Sequence, residues 1–282
     1  PAEQQTISLA DHEEPYEAAT ISEEGEPSRE VSAAPTNEKA DPADHGWKAR
    51  PPVAMAETPA LPAVSPQEVG TAVFANSADR VILTRARSEI ASQNRRSRAN
   101  AAKALGGVRH ELSVRMLAAQ LADDSSAQVR HECIKALTTL DMKEGLPAVQ
   151  RALTDPDASI RLAAVRGLYR LAGAECAPAL APMLSDSDED VRRRAATCLG
   201  WLGQEEHAVA LMLLLDDDRV SVRHAAIEAL ANLRSQAAVG PLIERLADPE
   251  ASIRKAALGA LETITGKNMS ESSPANEESR ER

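Results

Sequence analysis

Residues 155–173 read Asp-Pro-Asp-Ala-Ser-Ile-Arg-Leu-Ala-Ala-Val-Arg-Gly-Leu-Tyr-Arg-Leu-Ala-Gly, and the pattern of this stretch returns along the chain. A β-branched residue followed by arginine recurs in steps of 31 residues, at Val129-Arg130, Ile160-Arg161, Val191-Arg192, Val222-Arg223 and Ile253-Arg254. A fixed period of roughly 20 to 50 residues is typical of stacked structural repeats. The period therefore predicts a repeat architecture over residues 121–266.

Each unit has the pattern of a helix pair. Apolar residues at helical spacing predict a first helix, here Ile160, Ala164, Leu168 and Leu171. Gly173 is a typical helix stop, Asp155 is expected to be the N-cap, and Pro156 suits the first helical position. A second helix is predicted over residues 175–184, before Asp186 starts the next unit.

Residues at equivalent positions of the units form columns. Leucine fills one column in the first helices (Leu137, Leu168, Leu199, Leu230 and Leu261) and one in the second helices (Leu153, Leu184, Leu215 and Leu246). Two columns hold small residues, which let helix axes approach closely (Cys133, Ala164, Ala195, Ala226 and Ala257; Ala136, Gly167, Cys198, Ala229 and Ala260). The fold class expected is all-α: a right-handed α-solenoid of about five 31-residue helix pairs with half-repeat caps at both ends.

Charge and proline divide the chain into three parts. Residues 1–75 contain 14 acidic and 4 basic residues and ten of the 17 prolines, so we expect a disordered acidic region. Residues 76–266 contain 25 residues of each charge and are predicted to form the solenoid, which is therefore neutral. Residues 267–282 are polar and are expected to be a second disordered tail.

Composition also bears on the partners. A neutral solenoid flanked by acidic tails argues against nucleic acid, whose phosphates require an excess of Lys and Arg. No run of 18 apolar residues is present, so no membrane span is expected.

The three cysteines lack metal-ligand spacing, which favours the reducing cytoplasm. Without a glycine-rich phosphate loop or a paired nucleophile, the sequence implies no catalytic residue, metal or cofactor.

The unit Asp-x-x-x-x-Val/Ile-Arg-x-x-Ala, followed by Leu and Gly, resembles the HEAT-like repeat of the phycobilisome-lyase type over about residues 95–265. The resemblance implies that the aspartate and arginine columns form a ladder between neighbouring repeats. The aspartates are Asp155, Asp186, Asp217 and Asp248, and the arginines are Arg130, Arg161, Arg192, Arg223 and Arg254. These residues are therefore expected to be structural.

Two enzymatic branches of this family need consideration. Deoxyhypusine hydroxylases use repeated His-Glu pairs just after the arginine to hold two irons, but here only His131-Glu132 occupies that place, which argues against this activity. Bilin lyases attach or remove a tetrapyrrole, and Trp201, Tyr169 and His207 are residue types that can stack on or bond a bilin. A lyase-like chromophore attachment factor therefore remains the alternative function.

The preferred hypothesis is a non-enzymatic scaffold or adaptor that binds a protein or peptide partner. Second helices usually line the concave side of such solenoids, and two columns are expected to point outward there. They contain an apolar centre (Pro182, Met183, Leu213 and Leu214) and a charged rim (Arg151, Glu244 and Arg245). The alternative is that residues 211–215 pack inside the stack. The sequence does not indicate an oligomeric state.

A second candidate surface is basic. Nine Arg and Lys residues between Arg80 and Arg115 outnumber the acidic residues of that stretch. They could bind an acidic partner or the acidic N-terminal region of the same chain. The alternative is a solvated polar face.

Overall fold

The computed structural model describes residues 63–74 and 76–267, which contain helices and no strand. Two helices come first, α1 (Pro66–Thr71) and α2 (Ser77–Glu89). Five pairs follow: α3 (Arg95–Leu105) with α4 (Glu111–Asp123), α5 (Ala127–Leu140) with α6 (Leu146–Arg151), α7 (Ala158–Ala172) with α8 (Ala177–Leu180), α9 (Glu189–Leu202) with α10 (Ala208–Leu213), and α11 (Val220–Leu233) with α12 (Val239–Glu244). The last helix is α13 (Ala251–Thr265). The predicted solenoid of about five helix pairs is confirmed, with α2 and α13 as half-repeats.

The first helices lie side by side and form one layer, in the order α2, α3, α5, α7, α9, α11 and α13. The leucine column of this layer is at most 2% exposed at every position from Leu137 to Leu261. The two small-residue columns are also buried, which allows neighbouring axes to approach closely. Each repeat therefore buries its apolar face against the next one.

The second helices form the other layer, and most of them are interrupted. From α6 onward each has an α-helical part of four to six residues between 3₁₀ turns. The turns are Lys143–Gly145, Ala152–Thr154, Gly173–Cys176, Ala181–Ser185, Glu205–His207, Leu214–Asp216, Gln236–Ala238 and Arg245–Ala247. A 3₁₀ turn has about 3.0 residues instead of 3.6, so side-chain directions in these helices depart from one α-helical wheel.

The predicted N-caps were wrong by two residues. The N-cap of α7 is Asp157, whose carboxylate accepts the N–H of Ser159, and Pro156 therefore precedes the helix. Asp155 instead accepts the N–H of Asp157 at 2.9 Å and holds the turn before the cap. The other three predicted caps each accept an N–H two residues later in the same way (Asp186, Asp217 and Asp248).

The predicted boundary of the disordered N-terminal region at residue 75 was also wrong, because α1 is helical. Ser65 and Glu68 form a capping box, with the N–H of Glu68 donating to Ser65 Oγ and the N–H of Ser65 donating to Glu68 Oε2. Glu68 also bonds Arg115 of α4 at 2.8 Å, and Val69 is buried. The Ser65 N–H, followed by Arg115, lowers the pKa of Glu68 to about 2. The predictions for residues 1–62 and 268–282 lie outside the described residues.

One member of the second-helix leucine column differs from the others. Leu153, Leu184 and Leu215 are buried, whereas Leu246 is 37% exposed. Among the described residues no second helix follows α13, so nothing packs on the far side of α12 at this position.

The arginine–aspartate seam and the second-helix surface

Neighbouring repeats are joined by arginine–aspartate pairs, which together we call the seam. In three pairs the Nε and Nη2 groups of the arginine donate to the two carboxylate oxygens of an aspartate 25 residues later. The distances are 2.7–3.0 Å for Arg130–Asp155, Arg161–Asp186 and Arg192–Asp217. This forked geometry is among the stronger side-chain interactions. In a fourth pair Arg223 Nη2 donates to Asp248 Oδ1 at 3.2 Å, and Arg223 Nε lies 3.1 Å from Oδ2 without hydrogen-bond geometry.

Each of these arginines also bonds its own repeat. Arg161 Nη1 donates to the backbone oxygen of Asp155, six residues earlier, at 3.0 Å, and Arg192 makes the same bond to Asp186 at 2.8 Å. One aspartate therefore accepts from two arginines, through its carboxylate from the preceding repeat and through its carbonyl from its own. The seam is a continuous chain of bonds.

Hydrogen bonds in the seam lower the pKa of Asp186. Burial alone would raise the pKa of Asp186, but the hydrogen bonds from Arg161 and from the Asp188 N–H outweigh it, so the pKa lies below the ordinary value. Asp124, Asp217 and Asp248 show the same balance and the same direction. These aspartates are ionised and fully engaged at neutral pH, as their structural position requires.

The sequence did not predict one arginine–aspartate pair of the seam. It also assigned to the seam one arginine that has no carboxylate partner among the described residues. Arg98 donates to Asp124 at 2.7 and 3.0 Å, which starts the seam one repeat earlier. The spacing of 26 residues in place of 25 concealed this pair, although both residue types were in place. Arg254 bonds the backbone oxygens of Asp248 and Pro249 and has no carboxylate partner among the described residues.

Only one of the two columns predicted to point outward does so. Pro182 and Glu244 are exposed, Leu213 is 64% exposed, and Arg151 is half-buried. Leu214 is only 6% exposed, so its assignment to the surface was wrong. It begins a 3₁₀ turn, and the tighter winding directs this position toward the core.

The other members of that second column are also turned inward. Met183 is half-buried and packs against the core. Arg245 is half-buried, and its Nη1 donates to the backbone oxygen of Leu215 at 3.0 Å and to the carboxylate of Asp216 at 2.6 Å. These contacts join the 3₁₀ turns Leu214–Asp216 and Arg245–Ala247, which follow α10 and α12.

The exposed column lies on the same helix face as residues that the sequence interpretation did not select. Val209, four residues before Leu213, is 52% exposed, and Ile243 of α12 is 53% exposed. Pro178, four residues before Pro182, is exposed as well. We call Pro178, Pro182, Val209, Leu213 and Ile243 the second-helix surface. The i, i+4 spacing of Pro178 with Pro182 and of Val209 with Leu213 was the signal available in the sequence, whereas Ile243 is one residue before Glu244 of the exposed column.

Of the three residues considered for a bilin, Tyr169 and Trp201 are in contact. The rings of Tyr169 and Trp201 are 5.6 Å apart on neighbouring first helices. His207 is buried at the start of the second helix, where its Nε2 lies 3.2 Å from Gln204. Two of the three residues therefore form a pair, and His207 belongs to the local packing.

The basic stretch from Arg80 to Arg115 is partly occupied by internal bonds. Arg80 donates to the backbone oxygen of Ala72 and lies over the ring of Phe74. Arg85 pairs with Glu89 on the same helix, and Arg98 belongs to the seam. Fewer charges are therefore available for a partner than the sequence suggested.

Within residues 63–74 and 76–267, no group of three or more His, Cys, Asp or Glu side chains is arranged to hold a metal ion. No helix in the same ranges is long and apolar enough to cross a bilayer. The cysteines Cys133, Cys176 and Cys198 are buried thiols in the core.

The family model for HEAT repeats matches four overlapping windows, residues 83–155, 114–183, 146–220 and 208–275. The chain belongs to the HEAT-repeat family. The solved structure of YibA from Escherichia coli is similar at 20% identity, with a TM-score of 0.53 and coverage of 70% of this chain and 82% of that one. No curated protein matches the HEAT-repeat chain.

Two solved structures of enzymes resemble the HEAT-repeat chain with lower TM-scores. The complex of CpcE and CpcF of phycocyanin lyase from Nostoc is 23% identical, with a TM-score of 0.45 and coverage of 72% of this chain and 82% of that one. Human deoxyhypusine hydroxylase is 20% identical, with a TM-score of 0.34 and coverage of 71% and 88%. These likenesses concern the repeat architecture.

Proposed function

We propose that this HEAT-repeat protein is a scaffold or adaptor that binds a protein partner through its second-helix surface. The observation that carries the proposal is the exposure of three large aliphatic side chains on consecutive second helices, between 52% and 64% for Val209, Leu213 and Ile243. The equivalent packing positions one residue away are buried, as Leu214 shows.

Burial of such side chains by a partner would contribute substantially to binding. Each one contributes about 1.5–3 kcal/mol when fully removed from water. The prolines at positions 178 and 182 are rigid and lose little conformational entropy on binding. Arg151 and Glu244 flank the apolar centre, as polar residues flank the core of protein interfaces.

The stack itself supports this function. A solenoid presents residues from several repeats on one extended surface, which suits it for holding a polypeptide partner. The alternative function, a bilin lyase-like factor, is not carried forward because no observation beyond the contact of Tyr169 with Trp201 favours it.

Affinity capture with the full chain tests the proposal. Leu213→Glu and Ile243→Glu place carboxylates in the second-helix surface and are expected to release a partner that the wild-type protein retains. Val81→Glu is the matched control, since Val81 is an aliphatic residue of α2 with 67% exposure outside this surface. The circular dichroism spectra of all three variants should remain helical. A retained set of proteins that is the same for all variants would exclude this surface.

A further inference from the structure

Among the arginines of the first-helix layer that lack a carboxylate partner, three lie on the neighbouring helices α7 and α9. Arg166 and Arg170 stand one turn apart on α7, and Arg194 is on the neighbouring helix α9. None of the three has a hydrogen-bond or ion-pair partner among the described residues. We call these three residues the arginine cluster.

Arg194 is the unusual member of the cluster. It is half-buried, and its Nε is shielded from solvent without a hydrogen-bond acceptor. Burial, followed by the charge of Arg166, lowers its pKa. The adjacent Arg193 already uses Asp190 at 2.6 Å. An unsatisfied guanidinium donor beside a second cation is unfavourable unless an anion completes the site.

A groove lined by both apolar and polar residues lies along α9, and it begins beyond the arginine cluster. Trp201 is 54% exposed, pairs with Tyr169 of α7 and also lines a groove of about 610 Å³. Small residues from α11 and α13 line the groove (Ala225, Ala229, Ala256, Gly259 and Ala260). The cluster and the groove are thus linked through one helix, with Arg194 two turns before Trp201.

We propose that the arginine cluster and this groove bind an acidic peptide segment of a protein partner. Carboxylates of the peptide would accept the free guanidinium donors, and an apolar side chain would pack on Trp201 in the groove. Because the carboxylate of Glu228 lines the groove, the acidic residues of the peptide are placed at the arginine cluster and its apolar residue in the groove. This site is in the first-helix layer and does not depend on the second-helix surface.

Tryptophan fluorescence gives a direct measurement. The protein has two tryptophans, so the full chain with Trp47→Phe reports on Trp201 alone. The probe is a synthetic peptide of six glutamates around a central leucine. We expect saturable binding with a change in Trp201 emission, weakening as salt concentration rises. Arg166→Gln and Arg194→Gln should each raise the Kd about 10-fold.

The controls separate this site from general electrostatic attraction. Arg96→Gln removes an exposed arginine of α3 and is expected to change the Kd less than about two-fold, as surface charges contribute little. A peptide with glutamine in place of glutamate should not bind. Equal weakening by Arg96→Gln, an unchanged Trp201 spectrum or tighter binding of an oligothymidine would each overturn the proposal. Tighter peptide binding after Glu13→Gln, Glu14→Gln and Glu17→Gln would instead identify the chain's own N-terminal region as the occupant.

Discussion

A Cβ atom added to Gly200 of α9 would lie 2.5 Å from the Cα and 2.6 Å from the Cβ of Ala229 in α11. No real Cβ tolerates such distances, and the obstructing atoms include backbone, so the helices would have to separate. The two repeats are therefore in contact with hardly any side chain between them. This is the closest approach found for any glycine of the described chain.

Gly200→Ala is expected to lower the free energy of unfolding by about 1–3 kcal/mol, because overpacking forces α9 and α11 apart. The control is Gly259→Ala in α13, where an added Cβ meets nothing within 4 Å. That variant should gain about 0.5–1 kcal/mol, since alanine favours the helix over glycine. Urea denaturation followed by circular dichroism measures both. Equal effects at the two sites would contradict the proposed contact.

A double-mutant cycle on Arg161 and Asp186 tests the seam. Because both side chains are largely buried, at 13% and 6% exposure, their forked bond should show a coupling energy of about 1–3 kcal/mol. Each alanine variant alone leaves one charged group without its partner and should be strongly destabilised. The double variant should therefore lose much less than the two single variants together. Simple additivity of the two losses would show that the pair contributes nothing.

The seam also predicts acid sensitivity. A carboxylate whose pKa is lower in the folded protein stabilises the fold above its unfolded pKa, and this stabilisation is lost as pH falls through the folded pKa. For Asp124, Asp186, Asp217 and Asp248 the loss begins near the ordinary value of 3.8 and continues below it.

Chemical denaturation between pH 7 and pH 2.5 measures this loss. Asp186→Asn should be less stable at pH 7 and should show a smaller decline in stability on acidification. Asp123→Asn, at an exposed position beside the seam, is the control for removing one carboxylate. If the decline is as steep in Asp186→Asn as in the wild type, Asp186 is not one of the groups responsible.

The capping box at the start of α1 should hold residues 63–74 against the solenoid. Ser65→Ala removes the acceptor of the Glu68 N–H and should destabilise this short helix by about 1 kcal/mol. Hydrogen exchange followed by mass spectrometry should show faster exchange in residues 63–74 and unchanged exchange in α7. Uniform acceleration across the chain would mean that α1 is coupled to the whole stack.

The thiols provide an independent check of the core. Burial raises the pKa of the Cys133 thiol and brings those of Cys176 and Cys198 to about 11. Because the thiolate is the reactive form, the native protein should react slowly with a disulfide reagent at pH 8. Three thiols should react at once after unfolding in guanidinium chloride. Rapid reaction of the native protein would show that the repeats open locally.

The 31-residue period was sufficient to predict the repeat fold. Residues 31 positions apart, such as Leu168, Leu199 and Leu230, are buried in the same way in successive repeats. The seam partners followed from a family resemblance and not from the spacing itself. The predicted N-cap was wrong because an aspartate at position 155 could accept either helix N–H groups or an arginine side chain, and the sequence does not distinguish the two. In the structure Asp155 accepts from Arg130, and Asp157 is the N-cap.

The surface was harder to predict than the core. Assigning faces in the second helices assumed one α-helical wheel, and the 3₁₀ turn at Leu214 breaks it, so a leucine expected outside is inside. The arginine cluster was not predicted, because the sequence does not distinguish an arginine that lacks a carboxylate partner from one that has such a partner. Arg194 resembles its paired neighbour Arg193 until the positions of all carboxylates are known.

Each seam aspartate accepts hydrogen bonds from one arginine at its carboxylate and from another at its backbone carbonyl. The same bonds can therefore form whichever repeat comes next in the chain. Excision of residues 156–186 would leave the carboxylate of Asp155 with Arg130 and bring its carbonyl six positions before Arg192, as it now stands before Arg161. Removal or insertion of a whole repeat would therefore keep the arginine–aspartate bonds between the repeats on either side. The length of the stack is therefore a quantity that gene duplication can adjust in steps of one repeat.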